Sequence, residues 1–111
     1  MRTWLPVLLL PFGFIAHASE YSLPIPSDAK AQYFVLEKGG SSHMPTMVTK
    51  RVGLSGTSYS KRIFDCKAQT VKYLGTGDTL EEMARSKPDL NLGSLVTGSI
   101  AWYQWQHACE K

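Results

Sequence analysis

The stretch Thr46-Met47-Val48-Thr49-Lys50-Arg51-Val52, followed by Gly53-Leu54-Ser55-Gly56 and then Thr57-Ser58-Tyr59-Ser60-Lys61-Arg62-Ile63-Phe64-Asp65-Cys66, decides the fold. It sets two β-rich runs on either side of a glycine-flanked turn, the pattern of an antiparallel hairpin. Val48 and Val52 fall on one side of the first run, with Lys50 between them. Upstream, Ala31-Gln32-Tyr33-Phe34-Val35-Leu36-Glu37-Lys38 reads as a strand closed by the loop Gly39-Gly40-Ser41-Ser42. Downstream, Ala68 to Leu74 reads as a fourth strand. Turn residues recur at intervals that suit a meander of about four strands.

Beyond Leu74 the pattern changes. Gly75-Thr76-Gly77-Asp78 reads as a loop, and Thr79 stands three residues before Glu82, the spacing of a capping box. A helix of about two turns is expected there, with Glu81 and Glu82 at its positive end, Arg85 at its negative end and Pro88 beyond it. Residues 86–98 contain Pro88, Gly93 and Gly98 and read as a loop. Ser99 is positioned to cap a last helix, Ile100 to Cys109. Ala101, Trp102, Trp105, Ala108 and Cys109 recur at three- and four-residue spacing, which predicts that they form the face covering the sheet. The expected fold class is therefore α+β: a small antiparallel sheet packed by a C-terminal helix, with one disulfide.

The chain has 111 residues with 43% hydrophobic, 19% charged and 11% aromatic residues, a composition for one folded domain. That length excludes multidomain enzymes and long repeat arrays. Residues 1–18 read as a secretory signal peptide: Arg2, an apolar run from Leu5 to Ile15, then Ala16-His17-Ala18 as a small-x-small cleavage site before Ser19. The first cysteine is Cys66, so no lipid-bearing cysteine follows the apolar run. Residues 19–30, with Pro24 and Pro26, read as an extended leader, and residues 31–111 as a single stapled domain. No transmembrane span is expected in the mature chain, and its location is expected to be periplasmic or secreted. In such an oxidising compartment Cys66 and Cys109 read as one internal disulfide, the other options being two free thiols or a bridge between chains. Closing a loop of that length stabilises a domain by roughly 3–4 kcal/mol in the chain-entropy account.

No catalytic or metal constellation stands out. His43 and His107 have no ligand spacing between them and read as surface histidines. Gly53-Leu54-Ser55-Gly56-Thr57 lacks the last glycine of a nucleophile elbow, and Gly75-Thr76-Gly77-Asp78-Thr79-Leu80 lacks the last glycine of a dinucleotide loop. Adjacent Glu81 and Glu82 diverge by about 100° on a helix, which suits capping. No enzyme activity, cofactor or metal is expected.

Lys50, Arg51, Tyr59, Lys61, Arg62, Lys72 and Tyr73 interleave basic and aromatic residues across three expected strands and form the candidate binding face. Such a surface suits an acidic protein or a polyanionic envelope component. Nucleic acid is not an expected partner, given export and a net charge of only +3.

The Asp65-Cys66 strand end, the returning strand Lys67 to Leu74, the Gly98-Ser99-Ile100 helix start and the Ala108-Cys109 finish resemble the small Gram-negative surface-adhesin protein E family. The resemblance runs over about residues 31–109. It implies an antiparallel sheet, a C-terminal helix joined to it by a disulfide between Cys66 and Cys109, and an envelope location. The function expected from the residues and the resemblance together is a non-enzymatic, adhesin-like binding domain. Alternatives are a periplasmic inhibitor or immunity-type protein of a hydrolase, acting through residues 39–45 or 86–98, and an accessory component of an envelope assembly.

Overall fold

A computed structural model describes residues 20–110. The expected signal peptide, residues 1–18, lies outside the described residues. The elements are β1 (Tyr21–Ser22), a 3₁₀ turn (Pro26–Asp28), β2 (Gln32–Gly40), β3 (Pro45–Gly53), β4 (Gly56–Asp65), β5 (Thr70–Gly77), α1 (Leu80–Arg85), β6 (Gly93–Ser94) and α2 (Ile100–Cys109). All strands lie in one antiparallel sheet whose spatial order, β1-β2-β3-β4-β5-β6, is the order of the chain.

The α+β class holds, but the sheet has six strands where about four were expected. The additional two, β1 and β6, are two residues each. A pair of residues is too short to display a period-two pattern, so neither is visible in sequence. The segment read as an extended leader supplies β1 and the 3₁₀ turn, and it buries Leu23 and Ile25 in the core.

Turn chemistry fixes each hairpin. Leu54 and Ser55 alone join β3 to β4, closed by the Gly53–Gly56 pair. Gly40 has φ +75, and a Cβ there would sit 2.5 Å from the Met44 carbonyl oxygen, so the turn into β3 requires glycine. Between β4 and β5 the Asp65 carboxylate accepts from the backbone N–H groups of Lys67 (3.1 Å) and Ala68 (2.9 Å). β5 runs on to Gly77, through residues expected to be a loop. It does so because Gly75 and Gly77 let α1 lie against the strand: a Cβ on Gly77 would be 2.6 Å from Glu82 Cβ, and one on Gly75 would collide with the Met83 carbonyl.

Two register shifts shape the sheet. Val35 pairs with Thr49 but Glu37 with Val48, leaving Leu36 unmatched, and Lys61 pairs with Gly75 but Arg62 with Tyr73, leaving Leu74 unmatched. Each is a β-bulge, which increases local twist and re-aims the side chains that follow.

α2 covers one side of the sheet. Leu23, Ile25, Tyr33, Val35, Met47, Phe64 and Ala108 form the core, with Ile100, Tyr103, Trp105 and Cys109 packed against it. The helix face agrees with the one expected at Trp105, Ala108 and Cys109 and departs from it at Ala101 and Trp102, in whose place Ile100, Tyr103 and Gln104 turn inward. Its buried residues are Gln104 and Ala108, and Ile100, Gln104 and Ala108 follow one another at four-residue spacing. Trp102 instead packs edge-on against Tyr103, ring centroids 5.0 Å apart. Gln104, which is not among the residues of the expected face, is fully buried with neither amide atom hydrogen-bonded. At the other end of the helix Cys109 is bonded to Cys66, with Cα atoms 5.6 Å apart. The Cys66 N–H donates to the His43 carbonyl (3.1 Å), so one junction ties α2, β4 and the β2–β3 loop together.

Candidate functional site

Successive residues of a strand point to opposite sides of the sheet. That rule divides the seven residues expected to share a binding face. Lys50, Tyr59, Lys61 and Lys72 occupy the outer side; Arg51, Arg62 and Tyr73 occupy the inner side that α2 partly covers. The pairing proves the division, because Lys50 faces Tyr59 across β3–β4 and Arg62 faces Tyr73 across β4–β5.

On the outer side the lysines descend in steps. Lys61 is diagonal to Lys50 on one neighbouring strand and to Lys72 on the other. Diagonal neighbours lie about 7–8 Å apart. Half-buried Phe34, Tyr59 and Ile63 stand among them. Lys50 is partly neutralised: its Nζ is 3.0 Å from Glu20 Oε2 and 5.0 Å from the Phe34 ring centroid. Among the described residues, Lys61 and Lys72 have no carboxylate within 4 Å. Glu37, opposite Val48, is the acidic residue that the β2 bulge turns to this side.

On the inner side the basic groups are built in. Arg51 Nε donates to Asp28 Oδ2 (2.9 Å) and to Tyr33 Oη (3.1 Å), while Tyr33 Oη donates to Asp28 Oδ2 (2.7 Å). These bonds, the one from Arg51 first, hold the Asp28 carboxyl below the usual carboxylate range. Burial first, and then its bond to Asp28, push the Tyr33 phenol up to about 12. Arg62 is only 8% exposed. Its guanidinium lies 4.4 Å from the Tyr73 ring centroid and donates from Nη2 to Tyr73 Oη (2.7 Å). Burial disfavours its charge and lowers its pKa. Around it is a cavity of about 170 Å³. Ser58, Ser60 and Thr49 line it beside Arg51, and Ile100, the first residue of α2, stands at its edge.

The sequence reading missed these hydroxyls. Their signal was the alternation Ser58, Ser60, Arg62 on one strand, a polar stripe at spacing two. The histidines also part company. His43 is exposed, but His107 is half-buried, with Nε2 2.8 Å from Tyr21 Oη and Nδ1 3.2 Å from Glu110 Oε1, so it links α2 to β1. A wider groove of about 510 Å³ runs beside the disulfide, between His43 and Trp105. Among the described residues no group of three or more His, Cys, Asp or Glu converges as a metal-ligand set, and no helix is long and apolar enough to cross a membrane. Comparison with protein-family models, curated proteins and solved structures gives no match.

Proposed function

We propose that this chain is an exported, periplasmic or secreted, non-enzymatic binding domain that contacts an acidic protein or polyanionic envelope partner through the outer side of its sheet. The observation that carries the reading is the stepped row Lys50, Lys61, Lys72, with Phe34, Tyr59 and Ile63 between the lysines. Half-buried aromatic and aliphatic groups supply contact area there, and the ammonium groups of Lys61 and Lys72, with no carboxylate within 4 Å among the described residues, supply charge complementarity. The disulfide agrees with an oxidising compartment. The resemblance to the surface-adhesin protein E family supports the adhesin-like character of the contact.

The test is capture from envelope extract at about 150 mM salt, where charges more than about 8 Å apart are screened. The full chain and Lys61→Glu/Lys72→Glu are compared. Partners held by the parent and lost by the variant support the reading; no specific partner, or an unchanged set, overturns it. A second reading rests on residues 86–98, where Leu90 is 88% and Val96 70% exposed. Apolar side chains presented on a loop suit insertion into a hydrolase cleft, and lysozyme and amidase rates measured with added protein test it.

A further inference from the structure

The Arg62 cavity lies on the side of the sheet opposite the lysine row, and its chemistry is different. We infer that it is a binding site for a tetrahedral oxyanion, phosphate or sulfate, either free or as the terminal group of a larger molecule.

The argument begins with an unbalanced charge. A guanidinium taken out of water is costly unless an anion meets it. Arg51, beside it, has Asp28. Arg62 is buried, and among the described residues it has no carboxylate within 4 Å. Its one hydrogen-bond partner there is the Tyr73 hydroxyl. A guanidinium carries five N–H donors, so most of its capacity is unused. None of its nitrogens is among the sealed side-chain atoms without partners, which are confined to Gln104 and Trp105. Arg62 is itself one of the residues lining the cavity, so its unused donors are offered to a guest there.

The surroundings favour an oxyanion over a neutral guest. Ser58 and Ser60 precede Arg62 at spacing two on β4, and Thr49 of β3 pairs with Ser60, so hydroxyl-bearing residues from two strands line the same cavity as the guanidinium. α2 begins at the edge of the cavity. Ser99 caps it by accepting from the Trp102 N–H (3.1 Å), and the positive end of the helix dipole lies there. The volume, about 170 Å³, equals that of about five or six waters at their share of the liquid, room for one small oxyanion and little more. A fork of N–H donors sharing a cavity with hydroxyl-bearing residues offers more donors than a flat carboxylate has acceptors to use. Four oxygens in a tetrahedron use them more fully.

Calorimetric titration of the disulfide-bonded full chain at constant ionic strength tests this. The probes are inorganic phosphate, inorganic sulfate, glycerol phosphate and acetate. Saturable binding of phosphate or sulfate, at least about tenfold tighter than acetate, is expected. Glycerol phosphate binding as tightly as phosphate assigns the site to a terminal group, and exclusion of glycerol phosphate assigns it to the free ion. Arg62→Gln is expected to weaken binding about ten- to a hundredfold, the value of charge-assisted hydrogen bonds. Ser58→Ala/Ser60→Ala removes only two hydroxyls and keeps the test decisive if Arg62→Gln does not fold. It is expected to weaken binding several-fold, whereas Lys61→Glu/Lys72→Glu on the other side leaves it unchanged. No saturable heat up to about 10 mM, acetate binding as tightly as phosphate, or unchanged affinity in Ser58→Ala/Ser60→Ala overturns the inference.

Discussion

Replacing Cys66 and Cys109 together with serine tests how much of the fold depends on one covalent bond. The disulfide joins residues 43 positions apart. In the chain-entropy account a loop of that length removes enough freedom from the unfolded chain to stabilise the native state by about 4 kcal/mol. For a domain whose total stability is of order 5–15 kcal/mol, that is a large fraction. With a urea dependence of about 2 kcal/mol per molar, the unfolding midpoint falls by about 2 M. The loss has a location as well as a size. Trp102 and Trp105, the tryptophans of the described residues, both lie on α2. Without the bond, α2 is held by Ile100, Gln104, Ala108 and Trp105 packing on the sheet and by the His107–Tyr21 contact. Tryptophan emission is then expected to shift red at lower urea than the far-ultraviolet signal of the strands. A midpoint change below about 0.5 M, equivalent to about 1 kcal/mol, would refute the reasoning, because it would mean that the open chain is already as restricted as the closed one.

Three further outcomes follow from single contacts. The Asp28 pKa is lowered by its bonds to Arg51 and Tyr33, so its contribution to stability is present above the unfolded value of about 4 and is lost as pH falls through the folded value; Asp28→Asn should flatten the acid limb of urea midpoints measured from pH 7 downward. Gly75→Ala drives a methyl group into the Met83 carbonyl and should destabilise by about 1–3 kcal/mol, with amide exchange accelerated first in α1. Ser99→Ala removes the acceptor for the Trp102 N–H and should cost about 1 kcal/mol in thermal or urea unfolding, with Ser99→Asp restoring most of it.

Long, patterned or punctuated elements were readable from the amino-acid sequence. β2 to β5 each run for eight residues or more between turn residues, and Thr79 and Ser99 mark both helix starts. The Thr79 hydroxyl accepts from Glu82 N–H (3.1 Å) as a capping box requires, although the Glu82 carboxylate returns to the Asp78 N–H (2.9 Å) and not to Thr79. What escaped was set by tertiary context. Leu23 and Ile25 sit among prolines, and only packing under α2 makes them core. Gln104 is polar, and only the four-residue step from Ile100 to Ala108 carries it inside. The candidate site was legible as residue types but not as a surface, because adjacent Lys50 and Arg51, like adjacent Lys61 and Arg62, must diverge on a strand. Applied to each basic pair, the alternation that located the strands separates the lysine row from the Arg62 cavity.

A sheet whose strands pair in chain order has a kinetic consequence. Each main pairing from β2 to β5 joins neighbours across a short turn, so these hairpins form by local closures of low contact order, which are fast. The distant encounters are kept for the end of the process: Tyr21 meets His107 across 86 positions, and Leu23 and Ile25 join Ala108 beneath α2. The order of events expected from this topology is that the four central strands assemble first as a platform and the two flanking segments meet over it last.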